Sequence, residues 1–173
     1  MPATLYERLG GKAAVDLAVD EFYEKIVADD RINEIWSGVR MGGLKTMMKK
    51  FLRKATGGEV DGESGGYDGG NMYESHKHVN KGQFPTQEQY DIVLEHFAGT
   101  LQELGVDAQL IGEVAAIVES VRLQILGLHN PADDGSTFMQ RCVKGLECYF
   151  SGRLGKATIV LIISLTTYYF FCK

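Results

Sequence analysis

The stretch Asn71-Met-Tyr-Glu-Ser-His-Lys-His-Val79 carries two of the four histidines of this chain, separated by a single residue. It follows the run GGEVDGESGGYDGG at positions 57–70, which consists almost entirely of glycine, polar and charged residues. A long irregular run inside a compact domain is uncommon, so it is either a surface insertion or a segment that spans something other than protein. The two histidines are accordingly either metal ligands or solvated loop residues.

Composition limits the class of protein. The 173 residues are enough for about one domain with an appendage, and the hydrophobic fraction of 45% is ordinary for a globular core. A net charge of −5 argues against a nucleic-acid-binding surface. Three cysteines, all in the last third, argue against a disulfide scaffold. Charged residues interrupt the first twenty positions, which excludes a secretory signal there, and we expect an intracellular core in the cytoplasm or an organelle stroma.

Hydrophobic periodicity predicts an all-α core over residues 4–128, without strands or internal repeats. Thr4-Leu-Tyr-Glu7 and Thr86-Gln-Glu-Gln89 are capping-box patterns, which predict helix starts. Asp107 is expected to cap one last long helix that Gly127 ends. Glycine pairs predict breaks between helices, and these pairs are Gly10–Gly11, Gly42–Gly43 and Gly57–Gly58.

Taken in order, these pieces resemble the group I truncated haemoglobins of cyanobacteria, mycobacteria, ciliates and green algae. The similarity rests on segments that keep their order along the chain, namely LYERLGG (5–11), FY (22–23), FL (51–52), Y67-x-G69-x-x-M72-x-x-x-H76, LQELGV (101–106) and EVA (113–115). Extra length between Gly58 and Tyr67 departs from the family pattern. The resemblance implies a shortened globin fold, a two-over-two helical sandwich around haem b, with the irregular run leading to the iron ligand.

The resemblance assigns His76, four residues after Met72, as the proximal ligand of the haem iron. Without the family motif, a histidine before a helix is more often a surface residue. His78 should point away from the iron, His96 is expected to be an ordinary helix histidine, and His129 carries no signal. The family pattern implies further haem contacts on Phe51, Met72, Val79 and Phe84.

On the distal side, Tyr23 matches the family tyrosine whose hydroxyl donates a hydrogen bond to bound dioxygen, although a core tyrosine bonded to backbone is the alternative. Trp36 stands where the family usually has a phenylalanine against the haem. Leu44, Met47 and Met48 are expected to face the same cavity, where many members have glutamines. The pocket is therefore expected to be drier, and dioxygen should leave it faster than it leaves a glutamine-containing relative.

The sequence does not decide which group, if any, occupies the sixth coordination position of the iron. Some algal and cyanobacterial relatives fill it with a histidine or lysine from the same helix, and Met47 matches that position. Methionine there is more often packing than a ligand. Lys49 could reach the iron or a haem propionate if the helix were distorted, but a solvated or propionate-pairing lysine is the simpler interpretation.

The implied function is reversible binding of dioxygen, carbon monoxide or nitric oxide, as in oxygen binding or transport. One alternative is a nitric oxide dioxygenase that depends on an external electron-donor reductase. Another is a redox or electron-transfer protein with six-coordinate iron. Sequence alone does not separate these functions, because all three use the same site.

We divide the chain into a globin domain (1–128), a linker (129–156) and an apolar tail (157–173). Residues 157–172 form an uncharged stretch of 16 residues, marginally short for a membrane-spanning helix. Three interpretations stay open for this C-terminal extension: a membrane anchor, a β-prone adhesive tail, or a sequence end that does not fold.

Overall fold

A computed structural model describes residues 2–58 and 71–130, and every statement about structure refers to these ranges. They form seven α-helices and one 3₁₀ helix: α1 (Leu5–Arg8), α2 (Gly11–Ala28), the 3₁₀ helix (Asn33–Trp36), α3 (Met41–Ala55), α4 (Met72–His76), α5 (Gln87–Glu103), α6 (Ala108–Ser120) and α7 (Arg122–Ile125). Within these ranges the one β-type contact is an isolated bridge between Asn80 and Gln83. The predicted all-α fold is confirmed.

Both capping boxes close as the sequence predicts. The Thr4 hydroxyl accepts from the Glu7 amide at 3.2 Å, and the Glu7 carboxylate accepts from the Thr4 amide at 2.8 Å. The same reciprocal pair joins Thr86 and Gln89 at the start of α5. Asp107 caps α6 by accepting from the Gln109 amide at 2.8 Å. Local hydrogen bonding therefore fixes where these three helices begin.

Two predicted boundaries are wrong. The pair Gly42–Gly43 does not interrupt the chain but lies in the first turn of α3, where the Gly43 and Leu44 amides both donate to the Arg40 carbonyl. The last helix is not continuous, because it divides at Val121. The Ser120 hydroxyl donates to the Ile117 carbonyl at 2.6 Å, and the Val121 amide turns to Val118 instead.

The long helices pack as two pairs, α2 with α3 and α5 with α6. Helix α2 packs against α3 and α5, and α5 packs against α6, which produces the two-over-two arrangement. Phe22 lies at the centre of this core, with its ring edge-to-face against Phe97 at a centroid distance of 5.4 Å. Val19, Ile26 and Ile117 are completely buried around it. Burial of these apolar side chains provides most of the driving force for folding.

Helix α4 packs against α7 at the other end of the domain. Phe84 joins the two, since its ring lies 4.7 Å from the Tyr73 ring and also covers Gly127. A Cβ atom at Gly127 would lie 2.4 Å from the Phe84 ring, and the backbone there has a φ of +72°. Position 127 therefore requires glycine for two separate reasons, one conformational and one steric.

Several expectations fall outside the described residues. These are the irregular loop at positions 59–70, most of the predicted linker (129–156) and all of the apolar tail (157–173). Across the two described ranges, none of the helices combines the length and the hydrophobicity that crossing a bilayer requires.

We predict that Gly127→Ala destabilises the domain more than Gly105→Ala. Both glycines have nearly the same positive φ, +72° and +74°, but a Cβ at Gly105 meets nothing within 4 Å. Backbone strain alone should lower the free energy of unfolding of the Gly105 variant by about 1 kcal/mol. The overlap with Phe84 should add roughly 1–3 kcal/mol in the Gly127 variant. Urea unfolding measures both values, and equal losses would contradict the packing argument.

Candidate functional site

His76 is the last residue of α4, a helix of only five residues. Asn71 caps this helix, and its side-chain oxygen accepts from the Tyr73 amide at 3.0 Å. Nδ1 of the His76 ring lies 2.7 Å from the carbonyl oxygen of Met72, one turn earlier. Because a carbonyl can only accept, Nδ1 carries the proton in this contact.

The state of the His76 ring follows from its surroundings. Burial lowers its pKa, and the hydrogen bond to the Met72 carbonyl opposes that shift only in part. The ring is therefore neutral at pH 7, with its single proton on Nδ1 and a lone pair on Nε2. A neutral imidazole with one nitrogen held by a backbone carbonyl is the form that binds a metal through the other nitrogen.

The other described histidines lie in different surroundings. His78 is exposed to solvent. His96 is partly buried on α5, and its Nε2 lies 2.6 Å from the Asp29 carboxylate. That carboxylate has a lowered pKa, chiefly because Arg31 donates to it, with a further contribution from His96. His96 therefore links α5 to the end of α2, as expected of a histidine with a structural role.

Tyr23 is buried on α2, with 4% of its surface exposed. Among the described residues its hydroxyl has no hydrogen-bond partner, and burial alone raises its pKa. The Trp36 ring packs edge-to-face against the Tyr23 ring, with centroids 6.0 Å apart. The indole nitrogen of Trp36 is buried and likewise meets no acceptor in the described part of the chain. Each ring of this pair therefore carries a donor that has no acceptor among the described residues.

The side chains of α3 that were predicted to line the site lie partly on the core, partly in solvent and partly against α2. Leu44 and Met48 are partly buried and pack on the hydrophobic core, whereas Met47 is 50% exposed. Lys49 donates to the Asp20 carboxylate at 2.8 Å, and Lys45 lies 3.3 Å from the same group. Both lysines therefore face α2.

Most of the predicted cofactor contacts share one cluster. Phe51 and Met72 are buried members of the core that also contains Tyr23, and the side chains packed against it include Trp36, Leu44, Met48 and Val79. Three predicted contacts lie outside this cluster: Met47 is half exposed, Lys49 pairs with Asp20, and Phe84 lies between Tyr73 and Gly127.

Two features were missed by the sequence reasoning. Gln124 is 1% exposed on α7, and its side-chain oxygen has no partner among the described residues. Its position between Leu123 and Ile125 gives no sign of burial. There is also an apolar cavity of about 150 Å³ between α2, α5 and α6, lined by residues that include Leu17, Phe97 and Leu101. It contains none of the predicted site residues.

Comparison with known proteins agrees with this fold. The family model for bacterial-like globins matches residues 4–126. A group 1 truncated haemoglobin of Synechocystis is 44% identical over 115 residues, which are 66% of this chain and 89% of that protein. The crystal structure of a truncated haemoglobin from Tetrahymena pyriformis in its Fe(III) form superposes with a TM-score of 0.63 at 35% identity, over 72% of this chain and 99% of that one.

A third relative is the 2/2 haemoglobin of a Synechococcus species, solved in the cyanomet state with covalently attached haem. It superposes with a TM-score of 0.62 at 41% identity, over 73% of this chain and 98% of that one. The chain belongs to the bacterial-like globin family, as a group 1 truncated haemoglobin.

Membership of the globin family implies haem as the cofactor, and the residues fit that group. A free Nε2 on His76 suits an iron ligand, and the cluster around Met72 and Phe51 supplies the apolar surface that a porphyrin needs. The Tyr23 hydroxyl, which has no acceptor among the described residues, is available to donate to a polar ligand. In the part of the chain that the structure describes, no group of three or more His, Cys, Asp or Glu side chains could hold a metal ion.

We predict that His76→Gly abolishes the normal attachment of haem, because no other described side chain offers a buried imidazole lone pair at that place. The variant should show a weakened and shifted Soret band after haem addition, and free imidazole should restore much of it. His78→Gly is the matched control, since that residue is exposed on the same segment and should leave the spectrum unchanged. A wild-type spectrum in the His76 variant would contradict the assignment.

Proposed function

We propose that this chain binds haem b through His76 and binds diatomic gases reversibly, with dioxygen as the principal ligand. The observation that carries the proposal is the contact of 2.7 Å between Nδ1 of His76 and the Met72 carbonyl, which leaves Nε2 unprotonated and would let it hold the haem iron. Haem supplies a coordination position at which a gas binds without being consumed. The protein contributes the fixed imidazole on one side and the surroundings of the gas on the other.

Tyr23 is the first residue that would act on the gas. Tyr23 is a buried residue whose hydroxyl has no acceptor among the described residues, so the hydroxyl is available to donate to a polar ligand. Burial raises the pKa of Tyr23, which keeps the hydroxyl protonated over the physiological range. A donor at this place favours dioxygen, which accumulates negative charge when bound, over carbon monoxide.

Helix α3 contributes apolar rather than polar side chains to the proposed surroundings of the gas. Solved variants of the Tetrahymena pyriformis protein exchange one tyrosine for phenylalanine and two glutamines for glutamate. Those three positions have the same spacing as Tyr23, Leu44 and Met48 in this chain. We infer that this pocket lacks two amide groups that the Tetrahymena protein has, and that it holds dioxygen less firmly.

Lys45 and Lys49 of α3 are poorly placed to bind iron. Lys49 donates to the Asp20 carboxylate at 2.8 Å and Lys45 lies 3.3 Å from the same group, so both side chains are engaged on the α2 side. Met47 is half exposed, so its thioether is not held in the core. These placements favour an iron whose sixth position is free for gas, and they disfavour the six-coordinate electron-transfer alternative. Oxidation of nitric oxide with an external reductase would use the same free position, and no contact described above favours it.

The function is tested directly by optical spectroscopy of the reduced haem protein. The spectrum should change on exposure to dioxygen and return when the gas is removed. Oxidation of the iron without a reversible step would count against a gas-binding role.

We predict that Tyr23→Phe speeds the dissociation of dioxygen roughly tenfold, equivalent to about 1.4 kcal/mol for one lost hydrogen bond. Stopped-flow displacement of dioxygen by carbon monoxide measures this rate. Tyr90→Phe is a matched control, because Tyr90 is equally buried but its hydroxyl lies near the Val118 carbonyl and the Glu119 carboxylate. If both variants changed the rate equally, the hydroxyl of Tyr23 would not be the donor.

We also predict that Lys49→Met leaves the ferric and ferrous absorption spectra unchanged, since Lys49 already pairs with Asp20. Lys45→Met serves as the control, because it removes the weaker contact with the same carboxylate. Conversion of a low-spin spectrum into a high-spin one in the Lys49 variant alone would show that this lysine binds the iron.

A further inference from the structure

The apolar cavity of about 150 Å³ between α2, α5 and α6 contains none of the residues assigned to the haem site. Thr56 is the one polar residue of its lining, and the Thr56 hydroxyl already donates to the Leu52 carbonyl at 2.7 Å. A dry apolar cavity of this size takes up a benzene-sized group. The cavity therefore suits an apolar side chain and offers no free hydrogen-bonding group to a polar ligand.

The cavity opens to the surface between α2 and the end of α5. Leu17 of α2 and Leu104, the residue that ends α5, both line the cavity and are 49% and 38% exposed. Large apolar side chains that stay exposed beside an unfilled apolar cavity mark a place where another apolar group packs. This opening is therefore a candidate docking surface.

Unpaired carboxylates lie on the α2 side of the opening. Glu21 and Glu24 follow Leu17 by about one and two helical turns, so the three residues share one face of α2. Neither carboxylate has an ion-pair partner among the described residues, whereas Asp16 and Asp20 are both paired with cations. The group that docks here should accordingly be apolar and carry positive charges beside its apolar part.

The apolar tail (157–173) has this combination of properties. Positions 157–172 carry no charge, and the nearest charges on both sides of them are positive, namely Arg153, Lys156 and Lys173. The 16 uncharged residues fall short of the 17–25 that a membrane-spanning helix uses. Packing on a protein surface removes the isoleucine, leucine and phenylalanine side chains of the tail from water without that length requirement.

The chain is long enough to bring the tail to the cavity. Asn130 follows α7, whereas Val106 lines the cavity and precedes α6. Helix α6, which lies between these two places, is about 20 Å long with its 13 residues. The intervening residues 131–156 span at most about 90 Å when fully extended. The linker therefore has several times the length that the return to the cavity requires.

We propose that the apolar tail docks on the globin domain of its own chain, with apolar side chains in the opening of the cavity and its flanking cations beside Glu21 and Glu24. The docked tail fills a void and covers Leu17 and Leu104, and both changes stabilise the folded domain. Because the cavity contains none of the residues assigned to haem, this interaction does not depend on the proposed function.

Photocrosslinking in the full chain tests this contact without assuming which tail residue enters the cavity. Leu17 is replaced with the photoreactive p-benzoylphenylalanine, and Leu123, which is 50% exposed on α7, receives the same replacement as the matched control. Trypsin cuts after Lys156, so the tail separates as one peptide that mass spectrometry identifies. We expect the tail peptide to be linked to position 17 in monomeric protein, and no tail peptide to be linked to position 123.

Full-chain variants then test the chemistry of the contact. Ile162→Asp places a charge within the apolar stretch and should abolish the cross-link at position 17 and lower the midpoint of thermal unfolding. Ser136→Asp is the control, since it adds the same charge to the linker and should change neither quantity. The double replacement of Glu21 and Glu24 with glutamine should weaken the cross-link several-fold, because it removes the charges that face the cations of the tail.

No cross-link at position 17, or equal cross-linking at both positions, overturns the proposal. Cross-linked dimers in place of monomers also overturn it, because the tail would then cover a second copy of the chain. The same holds if added phosphatidylcholine vesicles bind the protein and remove the cross-link, since the tail would then be a membrane anchor. Failure of gas binding, with the cross-link at position 17 intact, would reject the proposed function and leave the docked tail in place.

Discussion

One hydrogen bond, from Nδ1 of His76 to the carbonyl of Met72, determines what the site can do. It selects the tautomer in which Nε2 is free, and it does so inside a helix of five residues that would not form alone in water. The helix must therefore be held by other parts of the chain. Asn71 caps its start, and α7 packs along its side.

Charged residues stabilise the opposite side of the site without entering it. Asp16 of α2 pairs with Arg53 of α3 at 2.7 Å, and Asp20 pairs with Lys49 one turn further along. Hydrogen bonding to Lys49 lowers the pKa of Asp20, so this carboxylate stays ionised at neutral pH. Lys45, Lys49 and Arg53 of α3 thus pair with carboxylates of α2, whereas Leu44 and Met48 pack on the core.

Features encoded by neighbouring residues were predictable from the sequence, and features that depend on distant contacts were not. The capping boxes at Thr4 and Thr86 need only residues three positions apart. The assignment of His76 came from a family motif. In contrast, the partner of Lys49 lies 29 positions away, so no local pattern could identify it. The break at Val121 arises because the Ser120 hydroxyl competes for a backbone carbonyl, a choice that sequence spacing does not reveal.

The stack of Gly127, Phe84 and Tyr73 has a practical consequence for handling the protein. The last turn of the globin domain contacts α4, the helix that bears His76, through the ring of Phe84. A purification tag or fluorescent reporter joined closely behind that turn would disturb the packing of α4, the helix that orients the imidazole. The amino-terminal end, where Thr4 and Glu7 close their own cap, is the safer side for such fusions.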